Sequence, residues 1–102
     1  MATTSKTLFR GAATTNTATV LYTCTSPVTT TVVTNIIVTN TAASSGTYTL
    51  GLGGTNLATT VTVGAYDSTV IDLKQVLTTN QTITGGASAT SINFHIGGVE
   101  IS

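Results

Sequence analysis

Apolar and hydroxyl-bearing residues alternate along this chain in short runs, broken by clusters of Gly, Asn, Ser and Thr. A period of two sends successive side chains to opposite faces of an extended strand, so the pattern commits the chain to β-structure. Thr supplies much of the polar set, in TTNTATV, TTTVVTN, TYT, TVT and TIT, where hydroxyl and methyl together make a polar face that favours strands.

The first strand is read over residues 6–10, behind a small polar lead, residues 1–5, that serves as a flexible or interacting arm. A second spans residues 18–24 with Val20, Tyr22 and Cys24 on one face, and it stops at Ser26-Pro27 because proline cannot donate to a central ladder. Residues 31–39 set Val32, Ile36 and Val38 on one face and Val33 and Ile37 on the other, the mark of a central strand buried on both sides. Residues 47–52 point Tyr48, Leu50 and Leu52 one way, Gly53-Gly54-Thr55-Asn56 turns the chain, and residues 57–63 carry Leu57, Val61 and Val63. After a turn at Gly64-Ala65-Tyr66-Asp67, residues 68–73 offer Val70, Ile71 and Leu73. The run Asp72 to Leu77 is the one place where a short helical turn fits. A brief strand at 79–84 is closed by Gly85-Gly86. The last, at 90–96, alternates Ile92, Phe94 and Ile96 with Ser91, Asn93 and His95, and a bulge at Gly97-Gly98 flips the phase to send Val99 and Ile101 inward.

About eight short strands with almost no helix predict an all-β fold, a two-layer antiparallel β-sandwich with Greek-key or jelly-roll connections. A small closed barrel is the other arrangement that fits. The 102 residues suffice for one core, so residues 1–102 are read as a single domain. No apolar run reaches the roughly 20 residues of a membrane helix, and the N-terminus lacks the parts of a secretory signal, so the chain is expected to stay where it is made until assembled.

Charge narrows the function. Only 6% of residues are charged and the formal net charge is zero, against about a quarter in ordinary soluble domains. Such surfaces tend to associate. Lys6, Arg10 and Lys74 are too few to neutralise a nucleic-acid backbone. Disorder is excluded by the many β-branched apolar residues and the absent net charge.

Chemistry is scarce. The acids are Asp67, Asp72 and Glu100, and the histidine is His95. Asp67 reads as a turn residue, Asp72 with Lys74 as a solvated pair, and His95 as a surface residue opposite the apolar face. One histidine and three scattered acids make neither a triad nor a metal site. Cys24 fits a small buried hydrophobe. Gly51-Leu52-Gly53-Gly54 and Gly97-Gly98 lack the lysine and helix of a phosphate loop. Tyr22 and Tyr48 fall on core faces, which leaves Tyr66 as the exposed ring and disfavours an aromatic sugar platform. No catalytic, cofactor-binding or metal-binding residue is assigned, no cofactor is expected, and the chain is read as not an enzyme.

Four segments carry a resemblance. Residues 6–11 (KTLFRG), 18–23 (ATVLYT), 32–40 (VVTNIIVTN) and 92–101 (INFHIGGVEI), with the Asp67 to Leu73 run between them, are similar in order and spacing to small virion structural proteins of tailed bacteriophages. The resemblance implies a β-sandwich that decorates the capsid or belongs to the tail or its fibres. It implies localisation to the virion after assembly in the host cytoplasm, major capsid or tail subunits as partners, and a homo-oligomer such as a trimer. Neither nucleic acid nor membrane is expected as a partner. Decoration of the capsid is the preferred form, and a tail or tail-fibre role the alternative. From another class, a ligand-binding module such as an ice- or glycan-binding domain competes, since Thr-x-Thr arrays can order water.

Overall fold

The computed structural model describes residues 3–102. Eight strands follow one another with no helix among the described residues: β1 (Thr3–Ala12), β2 (Val20–Thr23), β3 (Thr30–Asn40), β4 (Gly46–Leu52), β5 (Thr55–Val63), β6 (Ser68–Thr78), β7 (Thr82–Ala87) and β8 (Ile92–Ile101). They form two four-stranded antiparallel sheets in the orders β1-β8-β3-β6 and β2-β7-β4-β5. Strands 1 and 8, 2 and 7, 3 and 6, and 4 and 5 pair, so the chain is one long hairpin rolled over itself, the jelly-roll connection.

The core lies between the sheets. From one side come Leu8, Val33, Ile36, Val38, Leu77, Ile92, Phe94 and Ile96, from the other Tyr48, Leu50, Val63, Ile83 and Ala87. Tyr48 meets Phe94 across the layer edge to face, with ring centroids 6.3 Å apart, a geometry the ring quadrupoles favour. As expected, β3 is central, and Cys24 is buried, with its sulfur accepting from the Thr31 hydroxyl at 3.3 Å.

Several local expectations are corrected. Thr3, Thr4 and Ser5 are no free arm: they pair with Ile101, Glu100 and Val99 as the first rungs of β1, while residues 1 and 2 of that arm lie outside the described residues. The helical turn at Asp72 to Leu77 does not form, because this stretch is strand β6, laddered along β3. The anticipated bulge at Gly97-Gly98 falls instead on the neighbours of β8. Leu8 is the extra residue in β1 and Thr34 the extra residue in β3, both opposite the Gly97 to Gly98 step. In β6, Leu73 and Lys74 stand opposite Thr34 alone. One line of irregularity therefore crosses the whole sheet. It flips the phase of β3, so that Val33, Ile36 and Val38 share the core face while Val32 and Ile37 turn outward. Because β8 itself keeps its alternation, Val99 and Ile101 stay on the outward side and remain partly exposed.

Similar slips explain why three of the apolar residues that the predicted strands carry are exposed. Leu21 is an extra residue in β2, which leaves Val20 outside and Tyr22 half-buried. In β5, Leu57 is extra opposite the Leu50 to Gly51 step, and Thr59 with Thr60 oppose Thr49, so Leu57 and Val61 are exposed while Ala58 packs partly against the core and Val63 is buried in it. Gly85-Gly86 does not end its strand, which runs on to Ala87.

Candidate functional site

Sheet β2-β7-β4-β5 turns one side to the core and the other to solvent, where its edge strand β5 is mostly exposed and carries no charged residue. The opposite sheet is more informative. Reading its outer side from β1 through β8 and β3 to β6, one row is Arg10, His95, Ile37 and Val70, and the next is Thr7, Gly97, Asn35 and Asp72. Beyond the bulge line comes Ser5, Val99, Val32 and Val76. Val70 and Val76 keep 61% and 58% of their surface, although both belong to a residue type that prefers burial.

Where β1, β8 and β3 kink, Gly97 contributes no side chain and a groove of about 290 Å³ opens above it, bordered by Thr7, Arg10, Asn35, Ile37, Thr39 and His95. A Cβ at Gly97 would stand 2.6 Å from Asn35 Oδ1, so the bare backbone is what lets Asn35 lean over the step. The rim has spare donors. Among the described residues the ion pair is Lys6 to Glu100 at 3.4 Å, and the Arg10 guanidinium has no carboxylate beside it. Asn35 Oδ1 accepts from the Thr34 hydroxyl at 3.4 Å, which leaves the Asn35 amide nitrogen free for a ligand. A second hollow of about 540 Å³ follows the same bulge line between Thr34, Asp72, Leu73 and Lys74.

His95 lies on this face beside Arg10, away from the core, as the alternation predicted. Its row holds no acid; Asp72 lies in the adjacent row, on β6, with β3 between the two strands. Asp72 and Lys74 form no ion pair within 4.0 Å among the described residues. Asp67 accepts from the Ser68 amide at 2.8 Å, the turn role read for it, and Tyr66 is 74% exposed. Tyr66, in the loop between β5 and β6, does not line the groove.

Titratable groups converge elsewhere, at the end of the sandwich. The Tyr22 hydroxyl, from β2, donates to Glu100 of β8 and lies 2.8 Å from the Thr31 hydroxyl of β3, while Lys6 of β1 closes on Glu100. Burial, reinforced by the hydrogen bond to Glu100 and by its charge, pushes the Tyr22 phenol up to about 12. At neutral pH it is a donor that ties the sheets together, not an acid or a nucleophile. Among the described residues no three His, Cys, Asp or Glu side chains group as metal ligands.

Sequence reasoning treated Arg10 only as one of few cations and did not single out Asn35. Their approach is set by the bulge line, and an extra residue leaves little mark in an alternation of short runs. No family model matches the chain, and no curated protein matches it. It is similar to the solved "Structure of CBM35 from Paenibacillus barcinonensis", CBM35 being a carbohydrate-binding module, at 12% sequence identity and a TM-score of 0.42, over 98% of this chain and 89% of that one. The sandwich assignment stands on the two sheets themselves.

Proposed function

We propose that this chain is a non-catalytic binding module that serves as a structural subunit of a virus particle of the tailed-phage kind. It packs against other particle proteins through the outer face of β1-β8-β3-β6. The observation that carries this reading is the face itself, on which Val32, Ile37, Val70, Val76 and Val99 turn outward with no covering layer. Exposed apolar side chains grouped on one face mark an interaction site, and the row Ser5, Val99, Val32 and Val76 holds no charge, which lowers the desolvation cost of covering it. Jelly rolls serve viral capsid and lectin domains alike, so the surface, not the topology, bears the argument. Decoration of the capsid is the finer form, supported by one compact sandwich with no fibre repeat among the described residues.

Mass spectrometry and antibody labelling of purified particles test it. The chain should be present in stoichiometric amounts with label over the shell. Absence from washed particles overturns the structural reading, and label confined to the tail overturns decoration alone.

The groove supports a second reading, a module for a hydroxyl-rich ligand such as a glycan, because Thr7, Arg10 and Asn35 offer hydrogen-bonding groups beside apolar Ile37. A glycan array read with the parent and with Arg10→Ala separates the two. Saturable sugar binding lost in the variant would select the glycan. An ice-binding face fits less well, since the outward threonines of β1-β8-β3-β6 (Thr3, Thr7, Thr30, Thr39 and Thr78) are divided by the bulge line. Those of the other sheet (Thr47, Thr49, Thr62, Thr82 and Thr84) are interrupted by the slips in β5 and by the loop over Gly86, so neither set makes one flat array.

A further inference from the structure

All four outer strands of the sandwich are irregular: β1 at Leu8, β2 at Leu21, β5 at Leu57 and at Thr59 with Thr60, and β6 at Leu73 with Lys74. Bulges twist an edge away from a straight ladder and are a common guard against strand-to-strand addition. Association of this chain is thereby steered from its edges to its faces. The face with more outward apolar side chains is the outer side of β1-β8-β3-β6, with Val32, Ile37, Val70, Val76 and Val99, and it is also the face that carries opposite charges, Arg10 and Asp72.

We propose that a second copy of this chain covers that face about a two-fold axis parallel to the strands, with Arg10 of each copy meeting Asp72 of the other. The inference rests on the assembly reading above and names one partner of its surface. Charge selects the axis. Arg10, with His95 beside it, stands on the β1 side of the face, and Asp72 stands on β6 at the opposite side, one row away. An axis running between β8 and β3 lays β6 of one copy over β1 of the other and brings the guanidinium within reach of the carboxylate, twice. An axis across the strands would lay β1 over β1 and β6 over β6, and the opposite charges would stay apart. Lys74 does not spoil the match, because it lies on the side of Asp72 away from the row of Arg10. Thr7 and Asn35, which flank the groove, supply further hydrogen-bonding groups to the incoming carboxylate.

Area is sufficient. Strands of 10 and 11 residues extend about 35 Å, and four of them side by side cover about 19 Å. The face therefore offers about 650 Å² per copy, or about 1,300 Å² in all, within the range of specific interfaces. Val76, Val32 and Val99 form an apolar row inside it, and an isologous contact closes on itself without generating filaments.

Sedimentation equilibrium of the full chain over a concentration series tests the proposal. The parent should show a monomer–dimer equilibrium. Arg10→Asp and Asp72→Arg should each weaken it at least tenfold, and the two together should restore it to within threefold of the parent. Val76→Lys, which leaves both charges in place, should weaken it as strongly, and a melting curve for each variant checks that it folds. A trimer, single variants that associate like the parent, or a double variant that fails to recover overturns the proposal. So does a strict monomer whose β3 and β8 amides gain protection from exchange only with capsid subunits or an oligosaccharide added. That last result leaves the particle role standing, whereas absence from purified particles removes the particle role whatever the oligomeric state.

Discussion

Tyr22 sits where the edge strand of one sheet crosses the end of the other, and its hydroxyl hydrogen-bonds to both β8 and β3. Tyr22→Phe keeps the ring and removes that tie. Glu100 retains Lys6, and Thr31 retains the Cys24 sulfur, so neither is stranded. The expected loss is about 1–2 kcal/mol by urea unfolding. The pH profile gives a second signature. The phenol rises from 10.0 to about 12 on folding, chiefly through burial, with the Glu100 hydrogen bond next. The folded state holds this proton more tightly than the unfolded one. Its contribution is therefore complete below pH 10 and is lost as pH climbs through about 12. Tyr22→Phe should flatten the alkaline fall in stability without abolishing it, because burial raises Tyr48 as well. An ultraviolet titration of tyrosinate in which Tyr22 ionises at its ordinary value would show that the tie is not made in solution.

At the scale of elements, glycine was the least legible residue. Gly85-Gly86 looks like punctuation, yet β7 passes straight through it. The pair exists for the loop that crosses above. Gly85 N donates to Thr19 O and Ala87 N to Thr14 O, both at 2.9 Å, and a Cβ on Gly86 would run into the Asn16 backbone and stand 2.8 Å from Thr17 Cα. Backbone approaching backbone leaves no flexible tip to move aside. Gly86→Ala should cost about 1–3 kcal/mol and speed proteolysis in the 14–19 loop; an unchanged melting temperature would refute the close approach. What the alternation did reveal was the sheet class, the central place of β3, and the burial of Tyr48, Leu50, Ile92, Phe94 and Ile96. What it could not reveal were the single-residue slips at Leu8, Leu21, Thr34 and Leu57. Each is one extra residue in a pattern of short runs, invisible until the partner strand fixes the count. The groove shares that fate, since Arg10, Asn35 and Gly97 are far apart in sequence and meet only across the kink.

The whole molecule has one core layer and two outer faces, so adjacent residues of one strand can have opposite fates. Val76 and Leu77 follow one another in β6 with 58% and 1% of their surfaces exposed. Leu77 fills the layer between the sheets, and Leu77→Lys would bury an unpaired charge, at a cost above about 4 kcal/mol that leaves little of the stability of a domain this size. Val76 contributes to a surface that the monomer does not need. Val76→Lys should therefore change the unfolding free energy by no more than about 0.5 kcal/mol when measured at concentrations where the chain is monomeric. The same substitution should raise solubility, because it breaks the apolar row and moves the net charge off zero. Equal damage from the two substitutions would mean that the outer face is already covered within the monomer, a second buried layer that the two-sheet architecture does not contain. Loss at Leu77 with indifference at Val76 separates what holds the sandwich together from what it presents to a partner.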